Sequence, residues 1–458
     1  MPHRFDIAII GGGAAGVLAA IQCLRQATMP LRIVLFEPGP RLAEGVAYAT
    51  DRAEHLLNVP TGRMSALPDL PDDFLDWRCA RPGHTEAARG ALAHGYAPRR
   101  EYAAYLRARL AQARQASHAS LDILPWRIDD LARDADGWTL GAGAARAQAR
   151  RVLLATGNSP RPLPARGAHD LEPALQVEAW DYAGVAAIDP DAEVCIVGTG
   201  LSMADVLLTL AGQGHRGAIH LLSRHALLPL PHATAHVADE DFQVQPLHAM
   251  PLRARLRALR RGMRAAAARG LPWQATMERL RPHGQALWRS LPDAEQRRFL
   301  RHAVRHWDIH RHRIAPSVHA VLQTLREDGR LHLHRARLES VAATAGGVRL
   351  AARTSDGRAL ELAVARVVNA TGLELRVQAM RSPFPAQLLD TGHARLGAHG
   401  LGLATDAEGR LLDAAGHPQD DLRAIGSLRI GEAWESIAVP ELRVQAEAIA
   451  RAWTGGDP

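Results

Sequence analysis

Twice in this chain a short apolar run enters a glycine-rich turn and leaves it as an Ala/Leu-rich stretch with helical patterning. Phe5 to Ile10 runs into Gly11-Gly12-Gly13-Ala14-Ala15-Gly16, after which Val17 to Gln26 reads as a helix. Val194 to Val197 runs into Gly198-Thr199-Gly200-Leu201-Ser202-Met203, with a helix through Leu210. Each glycine of such a turn answers a separate steric need. The first permits the tight turn, the second lets the backbone approach a pyrophosphate, and the third lets helix and strand pack closely, while the helix N-terminus offers unpaired N–H groups to phosphates. Gly11, Gly13 and Gly16 fill these places in the first copy, with Ala14 and Ala15 opening the helix. In the second copy Gly198 and Gly200 fill the first two, Leu201 and Ser202 open the helix, and Met203 stands where a small residue is usual.

The two copies part at the end of the next strand. The strand Arg32 to Phe36 ends on Glu37, 26 residues from Gly11, and the strand Ala218 to Leu222 precedes Arg224, 26 residues from Gly198. A carboxylate there accepts hydrogen bonds from a free ribose diol, whereas an arginine accommodates a 2′-phosphate, so the second site is expected to prefer NADPH over NADH. Two further strands end alike, Val152-Leu153-Leu154 in Ala155-Thr156-Gly157 and Val367-Val368-Asn369 in Ala370-Thr371-Gly372. Each comes after a stretch that reads as a β-meander, with turns at Asp136-Gly137, Gly346-Gly347 and Asp356-Gly357. Near the C-terminus a strand from Leu422 to Ile425 enters Gly426-Ser427, and a helix is expected from Pro440 with Leu442, Ala446 and Ile449 on one face. The expected fold is therefore α/β, with two Rossmann-like dinucleotide-binding domains. The first would comprise residues 1–190 and 366–458 and be interrupted by the second, residues 191–365, which carries a helical, arginine-rich insertion at about 231–315.

Composition narrows the chemistry. All 55 positive charges are arginine, which removes Schiff-base lysine chemistry and the P-loop lysine together. Cys23, Cys79 and Cys195 lie far apart, against a disulfide framework or a cysteine metal site, and no metal is expected. The net charge of +7 suggests nucleic acid until it is located: residues 253–313 hold sixteen Arg against four acids, +12, which leaves −5 elsewhere. No zinc-finger, RNP or helix-turn-helix pattern accompanies that charge, so nucleic acid is not an expected partner. No apolar stretch approaches membrane-spanning length, and no apolar signal core precedes Ile7, so the expected location is the cytoplasm.

These residues resemble the two-dinucleotide-binding flavoproteins of the glutathione reductase and flavin monooxygenase superfamily. More closely, Gly45-Val46-Ala47-Tyr48, His55 to Pro60, Gly198 to Asp205 and Trp434 to Arg443 look like a bacterial family known as FAD/NAD(P)-binding proteins, along nearly the whole chain. The resemblance implies FAD on Gly11 to Gly16 and Glu37, with Ile128 touching the adenine through its backbone and Thr156 and Gly157 lining the same side. Gly426 and Ser427 match a segment where the superfamily usually has Gly-Asp on the ribitol. The helix from Pro440, preceded by Ile437, would point its positive end at the flavin pyrimidine. NADPH would take Gly198, Gly200, Leu201, Ser202 and Arg224, with Thr371 and Gly372 closing that unit. Asn58, Asn158 and Asn369 are the chain's only asparagines, and all three lie in or beside these segments.

Residues 38–60 lack the redox cysteine pair of glutathione reductase-like enzymes, and no F-x-G-x-x-x-H fingerprint of Baeyer–Villiger enzymes occurs. The expected activity is an FAD-dependent, NADPH-consuming oxidoreductase of monooxygenase type acting on a small molecule, anionic or an amine. The alternatives are an NADPH:acceptor reductase and a non-catalytic flavin-binding module that docks an acidic partner. His55, His310, His312 and Glu435 are read as structural rather than catalytic, and the insertion is expected to cap the site.

Overall fold

Backbone hydrogen bonds sort the strands into two mostly parallel sheets, each built around one glycine loop. The computed structural model describes residues 3–83, 86–234 and 237–455. In chain order, the elements that carry the loops are β1 (His3–Ile10), α1 (Ala14–Gln26), β2 (Arg32–Phe36), β3 (Ala145–Leu154), β4 (Val194–Val197), α2 (Leu201–Gly212), β5 (Ile219–Ser223), β6 (Leu331–Thr344), β7 (Arg366–Asn369), β8 (Pro418–Ala424) and α3 (Val439–Thr454).

In the first sheet β1 lies between β2 and β3, parallel to both, with Ile9 opposite Leu35 on one side and Leu153 on the other. The strand Ser120–Leu124 extends the sheet beyond β2, and β8 runs parallel beside β3. The expected meander is present, with Asp130–Asp134, Gly137–Ala142 and β3 pairing antiparallel in sequence. Strands covered on both faces read as unbroken apolar runs, and Ile7, Ala8 and Ile9 are fully buried in succession. α1 turns Val17, Leu18, Ile21 and Leu24 inward and packs against α3. On the other face Phe5, Phe36, Ile128, Trp138 and Leu140 share one core, each large side chain contributing roughly 1.5–3 kcal/mol by burial.

The second sheet repeats the plan. β4 is flanked by β5 and β7, β6 lies beyond β5, and Gln176–Glu178 lies beyond β7, all parallel. Two antiparallel strands, Gly347–Thr354 and Ala359–Val364, extend it past β6. The likeness extends to single bonds. Gly11 N donates to Phe36 O at 2.9 Å and Gly198 N to Leu222 O at 2.9 Å; Ala155 N donates to Ile10 O at 2.9 Å and Ala370 N to Val197 O at 2.8 Å.

The chain divides into two compact units, one of residues 1–51, 60–159 and 374–458, the other of 52–59 and 160–373. The expected boundaries of 190/191 and 365/366 thus shift. Strand pairing decides this: Gln176–Glu178 pairs with β7, and β7 with β4, so residues on both sides of the expected second domain belong to its sheet. Residues 52–59 join it through His55, whose Nε2 lies 3.1 Å from Asp205 O and 3.0 Å from Thr209 Oγ1. Within this unit, residues 252–311 form a succession of helices, from Leu252–Ala268 to Val304–Arg311. Their base is closed where His232 N donates to Ile314 O and Ile314 N to Leu230 O, both 3.0 Å. They have their own core of Val244, Leu247, Leu259, Met277, Leu280 and Leu287. No helix among the described residues is long and apolar enough to cross a membrane.

A Cβ on Gly16 would stand 1.8 Å from Gly11 O, an atom fixed by the turn. Gly16→Ala is therefore expected to cost about 3 kcal/mol or to prevent folding, while Gly200→Ala, whose Cβ meets nothing within 4 Å, leaves thermal unfolding near wild type.

Candidate functional site

The first glycine of each loop is locked by a carbonyl from the strand that ends in Ala-Thr-Gly. Gly11 has φ +108°, and a Cβ there would lie 2.3 Å from Ala155 O; Gly198 has φ +107°, and its Cβ would lie 2.2 Å from Ala370 O. Each loop thus sits directly on its Ala-Thr-Gly segment, which accounts for the recurrence of both motifs together. The second glycines behave differently. Gly13 is the N-cap of α1 with φ −67°, and the nearest atom to its added Cβ is Gly45 Cα at 3.6 Å. Gly200 caps α2 with open space around it. Nothing in the fold demands glycine there, and the lack of a side chain leaves the approach to each helix end open.

The donors at these helix starts are unclaimed by capping side chains. Neither Gly13 nor Gly200 has a side-chain acceptor, and neither first turn carries an acid. In α1 the first helical bond is Val17 N to Gly13 O at 3.0 Å, which leaves the N–H groups of Ala14, Ala15 and Gly16 pointing out of the helix end. Glu37 accepts from Gly12 N at 2.8 Å through one carboxylate oxygen and from Gly39 N at 2.7 Å through the other, keeping a second lone pair on each. Uncapped donors, an open approach at Gly13 and a fixed acceptor fit the pyrophosphate and ribose of a dinucleotide. Trp126, stacked on Phe36 at 5.7 Å, adds an aromatic face beside that acceptor that the sequence patterns do not reveal. It stands outside both motifs, two residues before Ile128, and spacing gives no signal for it. Ile128 itself is buried in the core beside Trp138.

The C-terminal candidates join the same unit. Ser427 Oγ donates to Gly157 O at 2.8 Å, so Thr156-Gly157 and Gly426-Ser427 are held side by side. Ser436 Oγ donates to Gly426 O at 2.8 Å, and Gln445 of α3 accepts from Gly426 N at 3.2 Å and donates to Ser436 O at 2.9 Å. This network seats the start of α3 beside Gly426, with Ile437 partly exposed just before it. Glu435 is buried with φ +65°, a conformation that costs a non-glycine residue about 1–3 kcal/mol and clusters at functional positions. Ala43, whose N donates to Gly12 O at 2.8 Å, has φ +68°, and Ala226, just past Arg224, has φ +51°.

The second loop is finished differently. Because Gly198 N reaches Leu222 O as Gly11 N reaches Phe36 O, the counterpart of Glu37 is Ser223, and Arg224 lies one residue further on. A count of 26 residues misses this because the connection is one residue shorter. Ser223 Oγ lies 3.0 Å from Thr199 Oγ1 and accepts from Ala226 N at 3.0 Å, a neutral arrangement where the first loop has a carboxylate. Around it the charge is positive: Arg224 is exposed, Arg335 of β6 pairs with Ser223 of β5, and His225 lies 6.4 Å from His306. The His225 imidazole is held below its usual range by desolvation and then by Arg224, His306, Arg335 and Arg305. Met203 is fully buried where Gly16 stands in the first loop, and the first bond of α2, Ala204 N to Gly200 O, is 3.4 Å. Ser202 Oγ accepts from Trp180 Nε1 at 3.2 Å.

Asn369 donates to Arg161 O at 2.8 Å and to Glu178 at 3.0 Å, and accepts from Thr371 Oγ1 at 2.7 Å, so it braces the turn at Thr371 and Gly372. Asn58 lies in the second unit, where its carbonyl accepts from His232 at 2.9 Å. His55 is fully buried, its Nε2 between Asp205 O and Thr209 Oγ1. Burial pushes the thiols of Cys23 and Cys195 up to about 12, and no cluster of metal-ligating side chains occurs among the described residues.

Comparison with known proteins agrees with this geometry. Residues 8–159 match the model of a family described as FAD-NAD(P)-binding. No curated protein sequence matches the chain. Among solved structures, the ornithine N-hydroxylase of Kutzneria sp. 744, in complex with reduced FAD, NADP+ and L-ornithine, has a TM-score of 0.67 at 14% identity, over 98% of this chain and 99% of that one. The FAD-bound cadaverine monooxygenase of Erwinia amylovora has 0.69 at 14%, over 99% and 95%. The thioredoxin reductase of T. acidophilum has 0.55 at 10%, over 99% and 98%. The chain shares the fold of these structures along nearly its whole length.

Because Gly13 is free of steric demand from the fold, it separates binding from folding. Gly13→Val is expected to keep the wild-type circular dichroism and to lose FAD binding by at least about a hundredfold in a fluorescence titration, since its branched Cβ would occupy the pyrophosphate's approach.

Proposed function

We propose that the chain is an FAD-dependent, NADPH-consuming monooxygenase that hydroxylates a small amine. The observation that carries this reading is the pair of uncapped glycine-loop helices in one chain, the first finished by a carboxylate and the second by a neutral serine amid arginines. In this reading Ala14, Ala15 and Gly16 hold the FAD pyrophosphate, Glu37 the adenosine ribose, and Gly157, Gly426 and Ser427 the flavin side, with Ile437 and the start of α3 beside it. Leu201 and Ser202 hold the NADPH pyrophosphate, and Arg224 with Arg335 the 2′-phosphate. Bound FAD would supply two-electron chemistry, taking hydride from NADPH and passing the electrons to O2.

Two observations favour oxygen as the acceptor over a dithiol relay. Cys23 and Cys195 are buried with thiols that stay protonated, and the three cysteines are all unpaired. An amine substrate is favoured by the fold's likeness to enzymes that act on ornithine and cadaverine.

A charge-assisted contact to phosphate contributes about 1.5–3 kcal/mol, or roughly ten- to a hundredfold in affinity. Arg224→Ala and Arg335→Ala should each raise the NADPH KM by about tenfold while leaving the NADH KM within about twofold. Equal KM values for the two nucleotides in the wild type would overturn the assignment of the second loop.

The activity itself is tested by incubating the FAD-loaded protein with NADPH, O2 and a panel of diamines and basic amino acids. The expected outcome is a hydroxylamine product by mass spectrometry with NADPH consumption that rises when the right amine is present. Fast NADPH oxidation with a quinone and no hydroxylated product from any amine would establish the reductase instead.

A further inference from the structure

The helix Leu252–Ala268 divides its six arginines sharply between two faces. Arg255 is buried with Leu252, Leu259 and Ala266, and its guanidinium donates to the carbonyls of Met250, Leu287 and His248. Arg253, Arg257, Arg260, Arg261 and Arg264 are all exposed. At about 100° per residue these five fall within an arc of roughly 100° directly opposite the buried face, along about 16 Å of helix. Among the described residues none of the five has an ion pair or hydrogen bond, whereas neighbouring arginines of the same insertion do: Arg269 with Asp239, Arg279 with Glu240, Arg297 with Asp293, Arg298 with Glu295 and Arg305 with Asp308. Five like charges a turn apart repel one another, so this row destabilises the isolated helix. The insertion thus keeps a costly feature on one face while several of its other arginines are paired with acids.

We infer that this face docks an acidic helix of a partner protein, whose carboxylates at i, i+4, i+7 and i+11 meet the guanidinium row. Charge complementarity fixes the sign, and the arginine fork suits a carboxylate in two-point contact. The same side carries the exposed Ala267 and Ala268, small enough to let a second helix lie close. Other anionic partners fit less well. A bilayer surface calls for apolar side chains that insert, and the apolar face of this helix is turned into the insertion's own core. Single-stranded nucleic acid calls for interleaved aromatic faces on which bases stack, and residues 252–268 contain none.

The test uses the full-length FAD-loaded protein and a labelled synthetic 20-residue helical peptide with glutamates at i, i+4, i+7 and i+11 on one face. A permuted peptide of identical composition, with its glutamates spread around the helix, is the control. By fluorescence anisotropy in 50 mM salt, the one-faced peptide is expected to bind at least about tenfold tighter than the permuted one and to weaken about tenfold by 300 mM salt. Arg257→Glu/Arg260→Glu/Arg264→Glu should abolish this binding, the triple Arg→Gln variant should weaken it about tenfold, and Arg349→Glu on a distant strand should leave it unchanged. Retained flavin absorbance and thermal unfolding show that each variant is folded. Equal binding of the two peptides, insensitivity to the Gln triple, or tighter association with phosphatidylserine vesicles or oligo(dT) than with the one-faced peptide would overturn the inference.

Discussion

The contact between a glycine Cα and a carbonyl at the end of the neighbouring strand is the constraint on which both sites depend. Gly11 lies so close to Ala155 O, and Gly198 to Ala370 O, that no side chain fits between them, and each glycine adopts φ near +108° to turn away. The same residues hold the sheet through Gly11 N to Phe36 O and Ala155 N to Ile10 O. Strand, turn and Ala-Thr-Gly segment are therefore one object. A shift in any of the three would open the turn, tilt the helix start and misdirect the N–H groups of Ala14 to Gly16. In the first copy a third close contact, Gly16 against Gly11 O, fixes the helix on the turn. The second copy lacks it: Met203 is buried in that place, and the first bond of α2 is the longer of the two.

From that shared scaffold the two loops diverge by a few atoms at the end of the second strand. Glu37 ties Gly12 and Gly39 together with a carboxylate, which adds negative charge beside the first loop. Ser223 makes the equivalent tie to Thr199 with a hydroxyl. In the proposed reading a 2′-phosphate would meet Arg224, Arg335 and His225 with no carboxylate to repel it. In that reading the discrimination would lie in the removal of one charge as much as in the addition of others, since an arginine beside an intact carboxylate would pair with it.

Local patterns make most of this legible in the sequence. The strand Arg32–Phe36, the meander turns at Gly137, Gly347 and Gly357, and the helix from Pro440 follow from apolar periodicity and turn residues a few positions apart. Whatever depends on which strand pairs with which is hidden. Residues 176–178 read as part of the first domain because nothing local shows that they pair with 367–369. Arg224 aligns with Glu37 in a count along the chain, because such a count cannot see a connection shortened by one residue, whereas the bond to Leu222 O can. Trp126 escapes for the same reason, its relevance arising from its stacking on Phe36 across a strand boundary. In the sequence, serine weakens the likeness of Gly426-Ser427 to a ribitol-binding pair. The structure gives that hydroxyl a different task, donating to Gly157 O and so aligning the two segments.

A chain without lysine must use arginine for every positive charge, and the insertion shows three separate uses of it. Arg255 and Arg313 are interior: the first satisfies several helix-end carbonyls at once, and the second pairs with Glu278 where both are almost fully buried. Removing one partner of such a pair strands a buried charge, so these residues are fixed by folding. Arg297, Arg298 and Arg305 are exposed and paired, contributing about 0–1 kcal/mol each and free to vary. Among the described residues of the insertion, only the row on Leu252–Ala268 is exposed, unpaired and aligned. The excess of +12 over residues 253–313 is thus a sum over unlike parts, and its aligned part is the one that neither folding nor surface ion pairing explains.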